Sequence, residues 1–175
     1  MPRPGRAPLL SAVTAILLAA ILSVGATVLP APPASAESLA GTVVRVVDGD
    51  TIRVRIGQRV EKVRYIGVNT PEIHHPRKGE EPGGRAALAV NRELVDGRAV
   101  RLETDVQARD RYGRLLAYVW AGETMVNAEL VRRGYAQVMT IPPNVRHQAL
   151  FVKLQRDARE AGRGLWAGAP SALPR

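Results

Sequence analysis

Apolar and polar residues alternate along the first half of this chain. Ile52, Val54 and Ile56 are apolar, while Thr51, Arg53 and Arg55 between them are polar. A two-residue period marks a strand with one buried face. Gly57-Gln58 is a hairpin turn signal. After it, Val63 and Tyr65 face one side and Lys62 and Arg64 the other. Thr42–Val47 reads as apolar on both faces, as expected for a strand inside a small barrel. Ser38–Gly67 therefore predicts three strands. From Glu72 to Gly84 the pattern dissolves among prolines and glycines, which predicts a loop.

Helical spacing returns at Arg85–Val95, with Ala87, Val90 and Leu94 on one face and Gly97 just beyond. Val100, Leu102 and Thr104 alternate as a fourth strand. Arg114–Ala121 is a fifth, turning at Gly122-Glu123 into Thr124–Val126. Asn127 is expected to cap a helix running through Arg133, stopped by Gly134. A third helix, Val145–Ala161, is expected to bury Phe151, Leu154, Ala158 and Ala161. This order gives an α+β chain: an OB-fold, a five-stranded β-barrel with three helices. Other small β-barrels share the pattern. No internal repeat or second domain is visible.

The first residues have a different character. Met1–Arg6 is basic, Leu9–Val28 is apolar without charge, and Ala34-Ser35-Ala36 supplies small residues. That is the order of a secretory signal peptide. Residues 1–36 are read as such, with the mature chain beginning at Glu37, although an uncleaved anchor is the competing reading. Residues 37–168 form the domain, and 169–175 are expected to be a disordered tail. Export follows: a secreted, extracellular protein with no stable membrane association after cleavage, and a monomer. There is no Cys, so neither disulfides nor thiolate chemistry are available. The net charge is +9, of which Arg3 and Arg6 supply two. Such a surplus suggests a polyanionic partner, most often nucleic acid.

The candidate chemistry lies between Val46 and Glu72, VVDGDTIRVRIGQRVEKVRYIGVNTPE. Asp48-Gly49-Asp50 is a tight turn, in which Gly49 supplies backbone freedom. Its two acids repel unless a cation or solvent relieves them. Hard oxygen donors in that arrangement suit Ca²⁺ or Mg²⁺. Arg64 follows on a strand, then Asn69-Thr70-Pro71-Glu72. A second stretch, Asp110-Arg111-Tyr112-Gly113-Arg114-Leu115-Leu116-Ala117-Tyr118, lies downstream. With these two motifs in this order, the chain resembles the thermonuclease (staphylococcal nuclease-like) family from Val46 to Trp166.

The resemblance implies a Ca²⁺-dependent nuclease that hydrolyses DNA and RNA and leaves 3′-phosphate ends. It implies Arg64, Glu72 and Arg114 as catalytic residues: Glu72 as general base, and the two arginines gripping the scissile phosphate. Asp50 would be a direct metal ligand, with Asp48 in the outer shell, the Thr70 backbone carbonyl coordinating as well, and Asn69 offering an amide oxygen at a ligand position. Arg111 and Tyr112 would touch a terminal phosphate. Two departures matter. Asn69 stands where the family has an aspartate, which removes a charge from the site. Val138–Pro142 lacks the tyrosines that pack around the base, with Thr140 and Pro142 in their places, so base preference does not carry over.

Two further readings stand beside this one. A catalytically inactive OB-fold that binds nucleic acid shares the barrel, but such relatives usually lose the acid or arginine set. A basic wall adhesin leaves the second motif unexplained. His74-His75 makes a poor chelating pair, because neighbours on an extended chain point to opposite faces.

Overall fold

The computed structural model describes residues 38–73 and 79–167. The signal-peptide reading, the terminal tail and His74-His75 fall outside those residues. In chain order the strands are β1 (Ser38–Asp48), β2 (Thr51–Ile56), β3 (Arg59–Tyr65), β4 (Val68–Asn69), β5 (Ala99–Glu103), β6 (Leu115–Ala121), β7 (Thr124–Met125) and β8 (Gln137–Val138). The helices are α1 (Gly84–Val95), α2 (Val126–Arg132) and α3 (Gln148–Glu160).

Strands β3, β2, β1, β5 and β6 run side by side as antiparallel neighbours. A parallel pairing of β3 with β6, Val63 opposite Leu115 and Arg64 opposite Leu116, closes the ring. This is the five-stranded OB barrel expected from the pattern, with α1 between the third and fourth barrel strands. β7 extends one edge, and β4 pairs with β8 as a separate ribbon. The alternation in β2 holds as read: Ile52 and Val54 are fully buried, Arg53 and Arg55 exposed. Val63, Leu102, Val119, Leu130 and Phe151 complete a core built without cross-links. Each such side chain contributes about 1.5–3 kcal/mol on burial.

Several local expectations need correction. β1 is not apolar on both faces: Val44 and Arg45 are exposed. A bulge lies between the pairs Val43–Val54 and Arg45–Arg53, so Val44 has no partner on β2. Asn127 does not cap α2. It sits inside the helix, fully buried, accepting the Val119 N–H at 2.9 Å and donating to the Ile66 carbonyl at 2.9 Å. An amide read as a terminus signal thus joins a helix to the barrel. The third helix is shorter than expected, and Ala161 lies past its end, exposed. The β4–β8 ribbon, two residues per strand, is too short to show periodicity.

Glu129 on α2 holds Arg132 at 2.6 Å and Arg133 at 2.6 Å. The Arg132 hydrogen bond, then Arg133, lowers its carboxyl from 4.5 to about 2. A depressed acid stabilises the fold above its unfolded pKa and loses that contribution as pH falls through the folded value. Glu129→Gln should therefore cost ~1 kcal/mol at pH 7, allowing for solvent screening. In urea melts the gap from wild type should close as pH approaches about 2. Asn127→Ala strands two buried backbone groups and should cost about 2–3 kcal/mol at any of these pH values. An unchanged denaturation midpoint would show that the amide bridge is dispensable.

Candidate active site

The β1–β2 hairpin turns at Asp48-Gly49-Asp50. Asp48 accepts the Gly49 N–H at 2.8 Å. Asp50, 5% exposed, accepts the Thr51 hydroxyl at 3.0 Å through one oxygen and the Thr70 N–H at 2.8 Å through the other. Gly49 is required for space rather than for its dihedral angles, since its φ is not positive. A Cβ there would lie 2.6 Å from the Thr70 hydroxyl oxygen and 2.9 Å from Ala87 Cβ. The turn is thereby pressed between the Asn69–Glu72 segment and α1.

Two residues outside the motifs fix that packing. Asn91 of α1, fully buried, donates to the Asp48 carbonyl at 2.8 Å and accepts the Tyr65 hydroxyl at 2.8 Å. Glu81 donates its backbone N–H to the Glu72 carbonyl at 2.8 Å and accepts the Glu72 N–H at 3.1 Å. The backbone of Glu72 is thus held against the start of α1, while the residue itself is exposed. Asn91 was unreadable because a lone Asn among apolar helix positions looks like any surface residue.

Arg64 is the centre of the arrangement. It is 8% exposed. One terminal nitrogen donates to the Tyr65 and Val68 carbonyls at 2.9 and 2.8 Å. The other donates to Asn69 Oδ1 at 2.9 Å and lies 3.1 Å from Asp50 Oδ2. Burial lowers the proton affinity of its guanidinium; Asp50 opposes this and nearby Arg114 adds to it. Asp48 is pushed above the usual carboxylate range by burial, and further by Asp50 and Glu72.

Asp110 builds the opposite rim. It accepts the Tyr112 and Arg114 N–H groups at 2.9 and 3.0 Å and holds Arg114 Nε at 2.6 Å. Burial opposes ionisation, but these bonds outweigh it and keep the carboxyl below its ordinary range. Tyr112, 68% exposed, is flanked by Arg111 at 4.8 Å and Arg114 at 5.5 Å from its ring centre. Arg64, Asn69, Glu72, Arg111, Tyr112 and Arg114 all line one cleft of about 570 Å³. Asp48, Asp50 and Thr70 do not line it; Asp50 reaches it through Arg64. Across the cleft, Asn144 and Gln107 exchange hydrogen bonds at 2.7 and 2.8 Å, fixing a wall that no motif announced.

Residues 62–168 match the family described as staphylococcal nuclease homologue. The chain belongs to this family. It is 40% identical over 124 residues to a thermonuclease of Staphylococcus intermedius, covering 71% of this chain and 74% of that protein. A thermonuclease of Staphylococcus hyicus is 38% identical over 125 residues, with 71% and 74% covered. An endonuclease of Bacillus subtilis, YncB, is 36% identical over 128 residues, with 72% and 61% covered. The family match begins inside β3. It includes the cleft arginines and Glu72 but starts after the Asp48-Gly49-Asp50 turn.

Arg64 does not sit at an open site that the fold could spare. Arg64→Ala would leave Asp50 buried without its cation and two carbonyls without donors. Losing one partner of a buried pair costs about 3–5 kcal/mol. Glu72→Gln alters an exposed side chain and should stay within about 0.5 kcal/mol of wild type. Urea denaturation of both variants checks this. Equal midpoints would mean that the Arg64 network carries no stability.

Proposed function

We propose that this protein is a secreted, Ca²⁺-dependent nuclease that hydrolyses phosphodiester bonds of DNA and RNA and leaves 3′-phosphate ends. The observation that carries this reading is the convergence of Arg64, Arg114 and Glu72 on one cleft, with Asp50 directly behind Arg64. A phosphodiester resists attack because its anionic oxygens repel nucleophiles. Fixed cations stabilise the charge that develops as the bond breaks. Arg114 is suited to that work: Asp110 holds its Nε, and its terminal nitrogens make no hydrogen bond among the described residues. Arg64 contributes its charge from behind, with its four terminal N–H groups already engaged.

Glu72 takes the proton from the attacking water, which adds to phosphorus as the bond to the 5′-oxygen breaks. The proton then has to reach the departing 5′-oxygen, through solvent at this open rim. Arg111 and Tyr112, joined by a 2.6 Å hydrogen bond, receive a neighbouring phosphate.

The residues around Asp50 fit a hard divalent cation. Every side-chain donor there is oxygen: Asp48, Asp50, Asn69 and Thr70. The buried Thr70 hydroxyl has no hydrogen-bond partner among the described residues. Burial, with Asp50 and Glu72 nearby, holds the Asp48 carboxyl above its ordinary range, and a cation beside crowded acids relieves them. When bound, such a cation supplies neutralisation of the phosphate charge. The absence of a third carboxylate at Asn69 favours the millimolar affinity of extracellular calcium modules, consistent with export.

Purified protein should cleave single-stranded DNA and RNA with Ca²⁺ and lose activity in excess chelator. End-labelling should report 3′-phosphates. Glu72→Gln should lower kcat by ~10²-fold or more while substrate binding persists. Full activity in chelator, or near-normal turnover in Glu72→Gln, defeats the reading.

A further inference from the structure

The outer wall of the barrel carries a row of cations that the cleft does not use. Pairing places Arg45 of β1 opposite Arg53 of β2, and Arg53 opposite Lys62 of β3. All three are exposed, and none has a salt bridge or side-chain hydrogen bond among the described residues. Like charges directly opposite in a sheet destabilise it. Several other arginines are paired: Arg109 with Glu61, Arg114 with Asp110, Arg132 and Arg133 with Glu129, Arg146 with Glu103. Others, such as Arg55 and Arg59, have no salt bridge among the described residues, but their strand partners are not cations; the row sets cation opposite cation.

Its position ties it to the cleft. Lys62 precedes Arg64 by two residues on β3, so alternation puts both on the same side of the strand. The next row along the hairpin pairs Thr51 with Arg64, and Thr51 bonds Asp50. The row therefore begins about 7 Å from the Arg64 row and runs about 10 Å across three strands, taking ordinary strand spacings. Neighbouring cations of the row lie ~5 Å apart, and their long side chains let each one reach a phosphate of the same strand.

We propose that Arg45, Arg53 and Lys62 form a track for the phosphate backbone of the nucleic-acid strand beyond the cleaved bond. This rests on the nuclease reading above. The track takes any sequence, because it offers charge and no base-reading surface. It favours long substrates over short ones. It is retained although it weakens the sheet.

The test is the triple substitution Arg45→Gln, Arg53→Gln, Lys62→Gln in the full domain. On a long single-stranded DNA, kcat/KM should fall about tenfold or more, through KM. On a trinucleotide, which cannot reach the row, it should stay within twofold. With Glu72→Gln added to both proteins to prevent cleavage, fluorescence anisotropy should show the slope of log affinity against log salt reduced by about 2, the value for three contacts to a single strand. The melting temperature should be unchanged or higher.

Equal losses on long and short substrates, an unchanged salt slope, or a lower melting temperature would each overturn the track. So would loss of binding to poly(glycerol phosphate) with DNA binding intact, which would assign the row to an acidic envelope polymer. If wild type binds DNA through the row but cleaves nothing, the nuclease reading fails and the track survives. If wild type cleaves and the triple variant is indistinguishable from it, the track alone fails.

Discussion

The buried contact between Arg64 and Asp50 is the constraint on which the rest of the site depends. Asp50 ends the β1–β2 turn and Arg64 sits near the end of β3, where that strand pairs with β2 on one side and β6 on the other. Burying either charge alone would be costly. Together they are tolerable because both carboxylate oxygens and both terminal guanidinium nitrogens have partners. Asp50 takes the Thr51 hydroxyl and the Thr70 N–H. Arg64 takes two carbonyls and Asn69. The network crosses the turn, the barrel closure and the Asn69–Thr70 segment, so none of the three can shift without leaving a charge exposed to an apolar core.

This has a consequence for how the two arginines divide their work. Arg64 has its terminal donors engaged, whereas Arg114 is anchored by one edge and presents the other to the cleft. A phosphate arriving in the cleft meets Arg114 as a ready hydrogen-bond donor and Arg64 mainly as a charge. Any closer engagement of Arg64 requires exchange of its partners. A cation at Asp50 would compete with Arg64 for the same oxygen, so occupation of that acid and release of the arginine are coupled by chemistry rather than by distance.

Much of this was legible in the sequence. The alternation of Ile52, Val54 and Ile56 fixes which face of β2 is buried, because a strand has only two faces. The turn signals at Gly57-Gln58 and Gly122-Glu123 fix where the chain reverses. The site side chains could be picked out because two compact motifs, Val46–Glu72 and Asp110–Tyr118, carry the family resemblance in the right order. What escaped was long-range. Asn91 and Asn127 are ordinary asparagines until the fold places each beside an unsatisfied backbone group from another element. Asn127 in particular sits where a capping residue would, and local rules favour the cap. The bulge at Val44 was hidden because it depends on the partner strand, which β1's own pattern does not contain.

The buried asparagines also explain how a cysteine-free chain can hold an exposed cleft rim steady. An amide has one acceptor and two donors, so a single buried Asn can join groups from two elements without introducing charge. Asn91 fastens α1 to the Asp48 carbonyl and to Tyr65; Asn127 fastens α2 to β6 and to the Ile66 carbonyl. Each lies one layer beneath a functional segment. The Asp48-Gly49-Asp50 turn, where two acids crowd together, then has its backbone held from below. Rigidity comes from neutral amides in the interior, while the charges of Glu72, Arg111 and Arg114 stay at the cleft.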